Sequence, residues 1–407
     1  MLRKETDVII CGGGPAGLLT AALAARGGLE VVVLEEHEKV GVPAHCAGIL
    51  GWRCWESLPY RPREAVVEET REISFIFPED KVDLTMKKPA VIVNRAVFDA
   101  KLAEEALRQG AEVVTEARAL GGRELGDGVK VCVKLREGVV FIRGKYLVGA
   151  DGARSIIRKM VGEHMSFDIG VQLIRSRKGC SSLEVYFTPP LPPGYFGWRI
   201  PFGELEKIGV VAPLHRGRLL WKFSEKVFTI GEISHIEGGL IPRRLVRKMA
   251  RGRVALVGDS AGQVKPISRG GIFLGSAGAI TLSEALLAGE KLETYEKRWR
   301  RRFLMELEAG LALRRILESL SWHDLRKVFS MASSCLREHP IEVDLDGQAS
   351  FIFNSTRTCL PSIARDLRLA AQLIKGLGTA VLGGVLLELA APYGSSSLGH
   401  RYCYADK

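Results

Sequence analysis

The residues best placed to do chemistry begin at Gly12. Gly12-x-Gly14-x-x-Gly17 follows a short apolar run at 7–11 and opens an alanine- and leucine-rich segment at 18–26. At a strand-to-helix turn each glycine has its own task. Gly12 permits the tight turn, Gly14 lets the backbone approach a pyrophosphate, and Gly17 lets the helix pack closely on its sheet. The helix that starts at Pro15 and Ala16 presents the free N–H groups of Ala16 and the residues after it, with a partial positive charge, to phosphate oxygens. A second apolar run, Val31–Leu34, ends at Glu35, 18 residues after Gly17. A carboxylate there can accept hydrogen bonds from the ribose hydroxyls of an adenosine. Asp151-Gly152 and Gly258-Asp259 each close another apolar run. Taken singly each dipeptide is an ordinary turn, but an aspartate at a strand end can also hold ligand hydroxyls. Gly270-Gly271 stands just before a small-residue helix over 275–287 and offers backbone donors to an electron-rich ring edge.

These residues need a sheet to position them. Apolar, β-branched runs starting near 7, 31, 91, 146 and 253 read as strands buried on both faces of a parallel sheet. Between them lie alternating segments such as Glu72-Ile73-Ser74-Phe75-Ile76-Phe77, and the stretch 168–240 reads as antiparallel sheet. Residues 95–109 form an amphipathic helix pattern with Phe98, Leu102 and Ala106 on one face. The fold class expected is α/β (α+β overall): a Rossmann-like nucleotide-binding domain interrupted by an antiparallel-sheet substrate domain, with a helical C-terminal region. The first takes 1–60, 90–155 and 252–295, the second 61–89 and 156–251, the third 296–407. A cleft shared by the first two is where a ligand is expected.

Composition narrows the field. With 407 residues, 46% hydrophobic and 26% charged, the chain is a packed protein, which excludes disordered and collagen-like classes. A net charge of +11 suits an anionic ligand, an anionic lipid surface or RNA without choosing among them. Eight cysteines carry no Cys-x-x-Cys pair, and no histidine pairs with another histidine or a cysteine at a metal-ligand spacing, so no metal site is expected. There is no Gly-x-Ser-x-Gly nucleophile elbow. The opening MLRKETDVII runs straight into a strand pattern without the apolar core of a signal peptide, and the expected location is cytoplasmic and reducing. An apolar stretch at 376–392 falls short of the ~20 residues a spanning helix needs. A basic run, Lys297-Arg298-Trp299-Arg300-Arg301-Arg302, shares its helix with Tyr295, Trp299 and Phe303 at i, i+4 and i+8. That stripe either packs on the domain or, flanked by cations, lies on anionic headgroups. Residues 363–391, basic and then apolar, repeat the theme, so peripheral attachment to the cytoplasmic membrane face is a further expectation.

The motif set resembles that of FAD-dependent oxidoreductases of the aromatic-hydroxylase type: Gly-x-Gly-x-x-Gly with Glu35, Arg95-x-x-Phe98-Asp99, Asp151-Gly152 and Gly258-Asp259. Three segments are similar to the geranylgeranyl reductase family within that group. Gly41-Val42-Pro43-Ala44-His45-Cys46-Ala47-Gly48 resembles its Gly-x-Pro-x-x-Cys-x-Gly segment. Pro193-Gly194-Tyr195-Phe196-Gly197-Trp198-Arg199-Ile200-Pro201 resembles its Pro-x-x-Tyr-x-Trp-x-Phe-Pro motif. The third is Gly262-Gln263-Val264-Lys265-Pro266 leading into Gly270-Gly271-Ile272. The resemblance covers residue 6 to about 300. Phe196 replaces the usual tyrosine, Ile200 the usual phenylalanine, and Arg269 a glycine.

What the resemblance implies can be stated residue by residue. Gly12, Gly14, Pro15, Ala16, Gly17, Glu35 and Glu36 would hold the ADP half of FAD. Arg95 would face the pyrophosphate, and Gly258 and Asp259 the phosphate or ribityl chain. Gly270, Gly271 and Ile272 would lie beneath the pyrimidine edge of the flavin, with Asp151 in a supporting role. Cys46 and Ala47 would approach the isoalloxazine face, Cys46 as the candidate catalytic residue. Tyr195, Phe196, Trp198 and Pro201 would wall an apolar substrate tunnel. The activity implied is saturation of C=C bonds in geranylgeranyl chains of membrane ether lipids or their precursors, by hydride transfer from reduced flavin. With no second Gly-x-Gly-x-x-Gly unit, the electron donor is open between a ferredoxin-like protein and NAD(P)H. A flavin monooxygenase (hydroxylase or epoxidase) acting on an apolar substrate would use the same fold and contacts. A flavin-bound RNA-binding protein would suit the charge but lacks an RNA-reading module, so nucleic acid is not an expected partner.

Overall fold

A computed structural model of the chain describes residues 3–228, 232–339 and 341–348. The segments 363–391 and 376–392, singled out above, lie outside the described residues. The strand Glu5–Cys11 sits in the middle of the first sheet, parallel to Val31–Leu34 on one side and to the end of Gly138–Gly149 on the other. Glu112–Val114 and Val254–Leu256 extend it outward, also in parallel. Val8, Ile9 and Ile10 are wholly buried, as an unbroken apolar run requires when both faces of the sheet are covered. The strand Gly138–Gly149 does two jobs. Its first half pairs antiparallel with Val129–Leu135 and its second half joins the parallel sheet.

Three helices cover this sheet: Pro15–Arg26, Arg95–Arg108 and Ile272–Leu287. The first starts on Pro15, whose missing N–H costs nothing at a helix start. The second is capped by Asn94, whose Oδ1 accepts from the N–H of Ala96 at 3.1 Å and of Val97 at 3.4 Å. The second sheet has eight strands, ordered 233–242, 167–176, 205–213, 197–202, 183–186, 66–77, 80–93 and 49–50. It is antiparallel except where Leu183–Tyr186 runs parallel to Val66–Phe77. The helix Trp322–Glu338 and the segment 341–345 close over its far part, where Leu336 and Val343 join the cluster of Ile73, Leu84, Ile92 and Ile200.

One expectation changes, and one open alternative is decided. The run Val91-Ile92-Val93 is not a strand of the parallel sheet; it ends the 14-residue strand Asp80–Val93 and pairs antiparallel with 66–77 and 49–50. It looked like a parallel strand because Val91 and Val93 pack into one core and Ile92 into another, leaving no polar face. The basic run lies on the helix Glu293–Ser319, and its aromatic stripe is core: Tyr295 and Trp299 are fully buried. The Tyr295 hydroxyl donates to the carbonyl of Leu256 at 2.8 Å, and Trp299 Nε1 to that of Leu274 at 3.2 Å. The stripe therefore packs on the domain, and only its basic flank faces water. Among the described residues no helix is long and apolar enough to cross a membrane.

Candidate active site

One cavity of about 1030 Å³ runs between the two sheets. At its parallel-sheet end lie Gly12, Gly13, Gly14, Pro15 and Ala16, with Glu35 and Glu36 beside them. Glu35 is buried and braces the turn: Oε2 accepts from the N–H of Gly13 at 2.7 Å and Oε1 from that of His37 at 2.9 Å. Gly12 has φ +107°, and a Cβ there would stand 2.2 Å from the carbonyl oxygen of Ala150. A Cβ on Gly17 would meet the carbonyl oxygen of Gly12 at 2.2 Å, so this glycine serves helix-to-turn packing and lies outside the lining. A Cβ on Gly14 would meet no protein atom within 4 Å. That opening, at a helix N terminus, is a cradle for a diphosphate.

Arg95, from the start of its helix, lines the same wall. Its Nε and Nη2 donate to both oxygens of Asp99, at 3.1 and 2.8 Å. Burial opposes charge on Arg95, but Asp99 and the sulfur of Cys46 outweigh it and hold the guanidinium protonated. Asp151 lines the cavity too, yet its Oδ2 accepts from the N–H of Ile156 at 2.7 Å and supports the next short helix. Its Oδ1 is buried with no hydrogen-bond partner among the described residues. Gly258, Asp259, Gly270, Gly271 and Ile272 form the facing wall.

Cys46 and Ala47 also line the cavity. Gln172, which sequence reasoning missed, fixes this region. Its Nε2 donates to Glu237 Oε2 at 2.6 Å and to the Cys46 carbonyl at 3.3 Å, and its Oε1 accepts from Trp198 Nε1 at 3.2 Å. A glutamine amid apolar neighbours, Val171-Gln172-Leu173-Ile174, was the available signal. The far end is apolar, walled by Ile73, Leu183, Val185, Phe196, Trp198 and Ile200. Tyr195 and Pro201, expected on that wall, lie outside the lining. Pro201 falls on the opposite face of its strand from Trp198 and Ile200, by simple alternation. Tyr195 is drawn away by its hydroxyl, which donates to Asp168 Oδ1 at 3.1 Å. Leu345 and Gln348, from beyond the region of resemblance, also reach the cavity.

Comparison with known proteins agrees with this geometry. Residues 5–172 match a family model described as an FAD binding domain. A digeranylgeranylglycerophospholipid reductase of Methanothrix thermoacetophila is 29% identical over 372 residues, which is 84% of this chain and 94% of that protein. The enzyme of the same name from Methanocaldococcus jannaschii is 26% identical, over 80% of this chain and 90% of its own. This chain is an FAD-dependent oxidoreductase with distant similarity to the geranylgeranyl reductases. In fold, it is similar to a geranylgeranyl bacteriochlorophyll reductase-like protein from Thermoplasma acidophilum, with a TM-score of 0.80 at 20% identity, covering 93% of this chain and all of that one. It is also similar to p-nitrophenol 4-monooxygenase of Pseudomonas putida, with a TM-score of 0.69 at 18% identity over 88% and 99% of the two chains.

The cavity suits FAD. The open space at Gly14, the braced Gly13 and the partnerless Asp151 Oδ1 all fit the phosphates and hydroxyls of FAD. Asp259 gives a prediction. Burial pushes its carboxyl up to about 6, with Arg95 partly opposing, against 3.8 when free. The folded flavin-free protein therefore holds this proton more tightly than the unfolded chain does. Its stability falls as pH rises from about 4 to about 6, and the penalty is full above that. Asp259→Asn removes the charge and should stabilise the flavin-free protein by about 1–3 kcal/mol at neutral pH, with no gain near pH 4. Urea unfolding at the two pH values measures this; equal gains at both would contradict it.

Proposed function

We propose that the protein saturates C=C bonds in geranylgeranyl chains of membrane ether lipids or their precursors. One observation carries the reading: the dinucleotide cradle and the apolar wall of Phe196, Trp198 and Ile200 belong to a single cavity. Bound FAD, once reduced, supplies the hydride. An isolated alkene is a poor hydride acceptor, so the protein must supply orientation and a dry surround. Trp198 is well suited to this. Its indole N–H is fixed by Gln172, and its ring packs so closely on Gly209 that a Cβ there would stand 2.2 Å away. The aromatic face is thereby locked for an extended chain to lie against.

Saturation also needs a proton. Cys46 lines the cavity beside Arg95, so its Sγ can hold a proton and give it to the second alkene carbon. The electrons come from a ferredoxin-like protein or NAD(P)H, and the lipid enters from a membrane surface. The test is anaerobic. The chemically reduced holoenzyme is given a geranylgeranylated lipid, and the product is read by mass spectrometry. Two hydrogens gained per bond supports the proposal. No change without oxygen, and one oxygen atom gained in its presence, would make the protein a monooxygenase.

A further inference from the structure

The segment 341–348 forms a strap beside the cavity. One end is held by Val343, whose N–H donates to the carbonyl of Thr85 at 3.2 Å. The other places Leu345 and Gln348 in the lining, next to the wall of Lys265, Ser268, Gly270 and Gly271. The N–H of Ser268 donates to Gln348 Oε1 at 2.9 Å. Between Leu345 and Gln348 the strap carries Asp346, whose side chain is fully buried. Lys265 Nζ donates to Asp346 Oδ1 at 3.1 Å and to the Leu345 carbonyl at 2.8 Å. Asp346 Oδ2 accepts from the N–H of Cys54 at 2.9 Å. The lysine also packs on the glycine pair: a Cβ on Gly270 would stand 3.1 Å from Lys265 Cε and 3.5 Å from its Nζ.

Lys265 and Asp346 together hold one charge of each sign and no net charge. Their place makes that cancellation matter. Lys265 lines the cavity, and Gly270-Gly271 beside it is the wall expected beneath the pyrimidine edge of the flavin. Reduced flavin carries more negative charge than oxidised flavin, so a cation in the wall favours the reduced form and an anion opposes it. Such a charge acts through low-dielectric protein over several ångströms and needs no contact with the ring. We infer that Asp346, carried in by the strap, sets the reduction potential of bound FAD: it offsets Lys265 and so keeps the flavin a strong reductant. Acting through Lys265, Asp346 is a positioning residue. A strongly reducing flavin suits an acceptor as poor as an isolated alkene, but the inference rests on bound FAD alone.

The test is an anaerobic redox titration of the FAD-loaded protein. Asp346→Asn keeps the shape of the side chain and removes its negative charge. It should shift the ratio of reduced to oxidised FAD affinity about tenfold toward the reduced form, a rise of about 30 mV in potential. Lys265→Gln removes the cation and should lower the potential. Asp346→Asn/Lys265→Gln removes both charges and should return the potential close to the wild-type value. A strap that only supported the wall would be weakened in each single variant and further in the double one, so the double variant would show no recovery. No shift in Asp346→Asn, or shifts of the same direction in both single variants, would overturn the inference. Should Asp346→Asn fail to fold, Lys265→Gln decides alone, and an unchanged or raised potential there would overturn it. Opposite shifts in a protein that reduces no alkene would leave the inference standing and remove the reductase reading alone.

Discussion

A Gly12→Val protein is expected to purify colourless. The added Cβ would stand 2.2 Å from the carbonyl oxygen of Ala150 and 2.5 Å from its carbon, on backbone with φ +107°. Neither neighbour is free to move. The N–H of Ala150 donates to the carbonyl of Cys11 at 2.7 Å, and the N–H of Gly12 to that of Leu34 at 2.8 Å. The turn must therefore shift as a unit, pulling Gly13 off Glu35 and closing the cradle. An FAD affinity at least about 100-fold weaker, or about 3 kcal/mol, is expected. Gly14→Ala separates ligand contact from folding. Its Cβ meets no protein atom within 4 Å, so urea stability of the flavin-free protein should hold while FAD binding weakens. If Gly14→Ala bound FAD as tightly as wild type, the phosphates would not pass this turn.

Arg95→Leu should cost more stability than any other single change at the cavity. It leaves Asp99, 5% exposed, without its bidentate partner. Burial already pushes the Asp99 carboxyl upward, and Arg95 is the main force holding it down. Breaking such a pair destabilises by about 3–5 kcal/mol. The double variant Arg95→Leu/Asp99→Leu should recover most of that loss, because no charge is left stranded. It should not recover FAD affinity, since the cation facing the cavity is gone. Urea titration and flavin titration of both variants measure the two effects separately. Recovery of FAD binding in the double variant would show that Arg95 acts only through the fold.

Much of this was legible in the sequence. The nucleotide end is built from neighbours in the chain, a strand, a glycine turn, a helix and Glu35, so its spacing carries its geometry. The run Val91-Ile92-Val93 misled because burial on both faces has two causes, helices over a parallel sheet or two cores meeting at an antiparallel one, and the residue pattern is the same. Tyr195 misled for a different reason: its hydroxyl found Asp168, 27 residues upstream, and local alternation does not foresee such a partner. The pairing of Lys265 with Asp346 joins segments 81 residues apart, and no local pattern foresees it. Leu345 and Gln348 belong to a region without recognisable pattern, and only the fold brings them to the cavity.

The central claim is that electrons leave this cavity for a prenyl double bond. Anaerobic rapid mixing tests it most directly: the reduced, bleached holoenzyme is combined with a geranylgeranylated lipid and the yellow colour is followed. The account predicts that colour returns without oxygen, with saturated bonds formed in step with the flavin oxidised. A solution that stays bleached with substrate present, and turns yellow only when air is admitted, would contradict it.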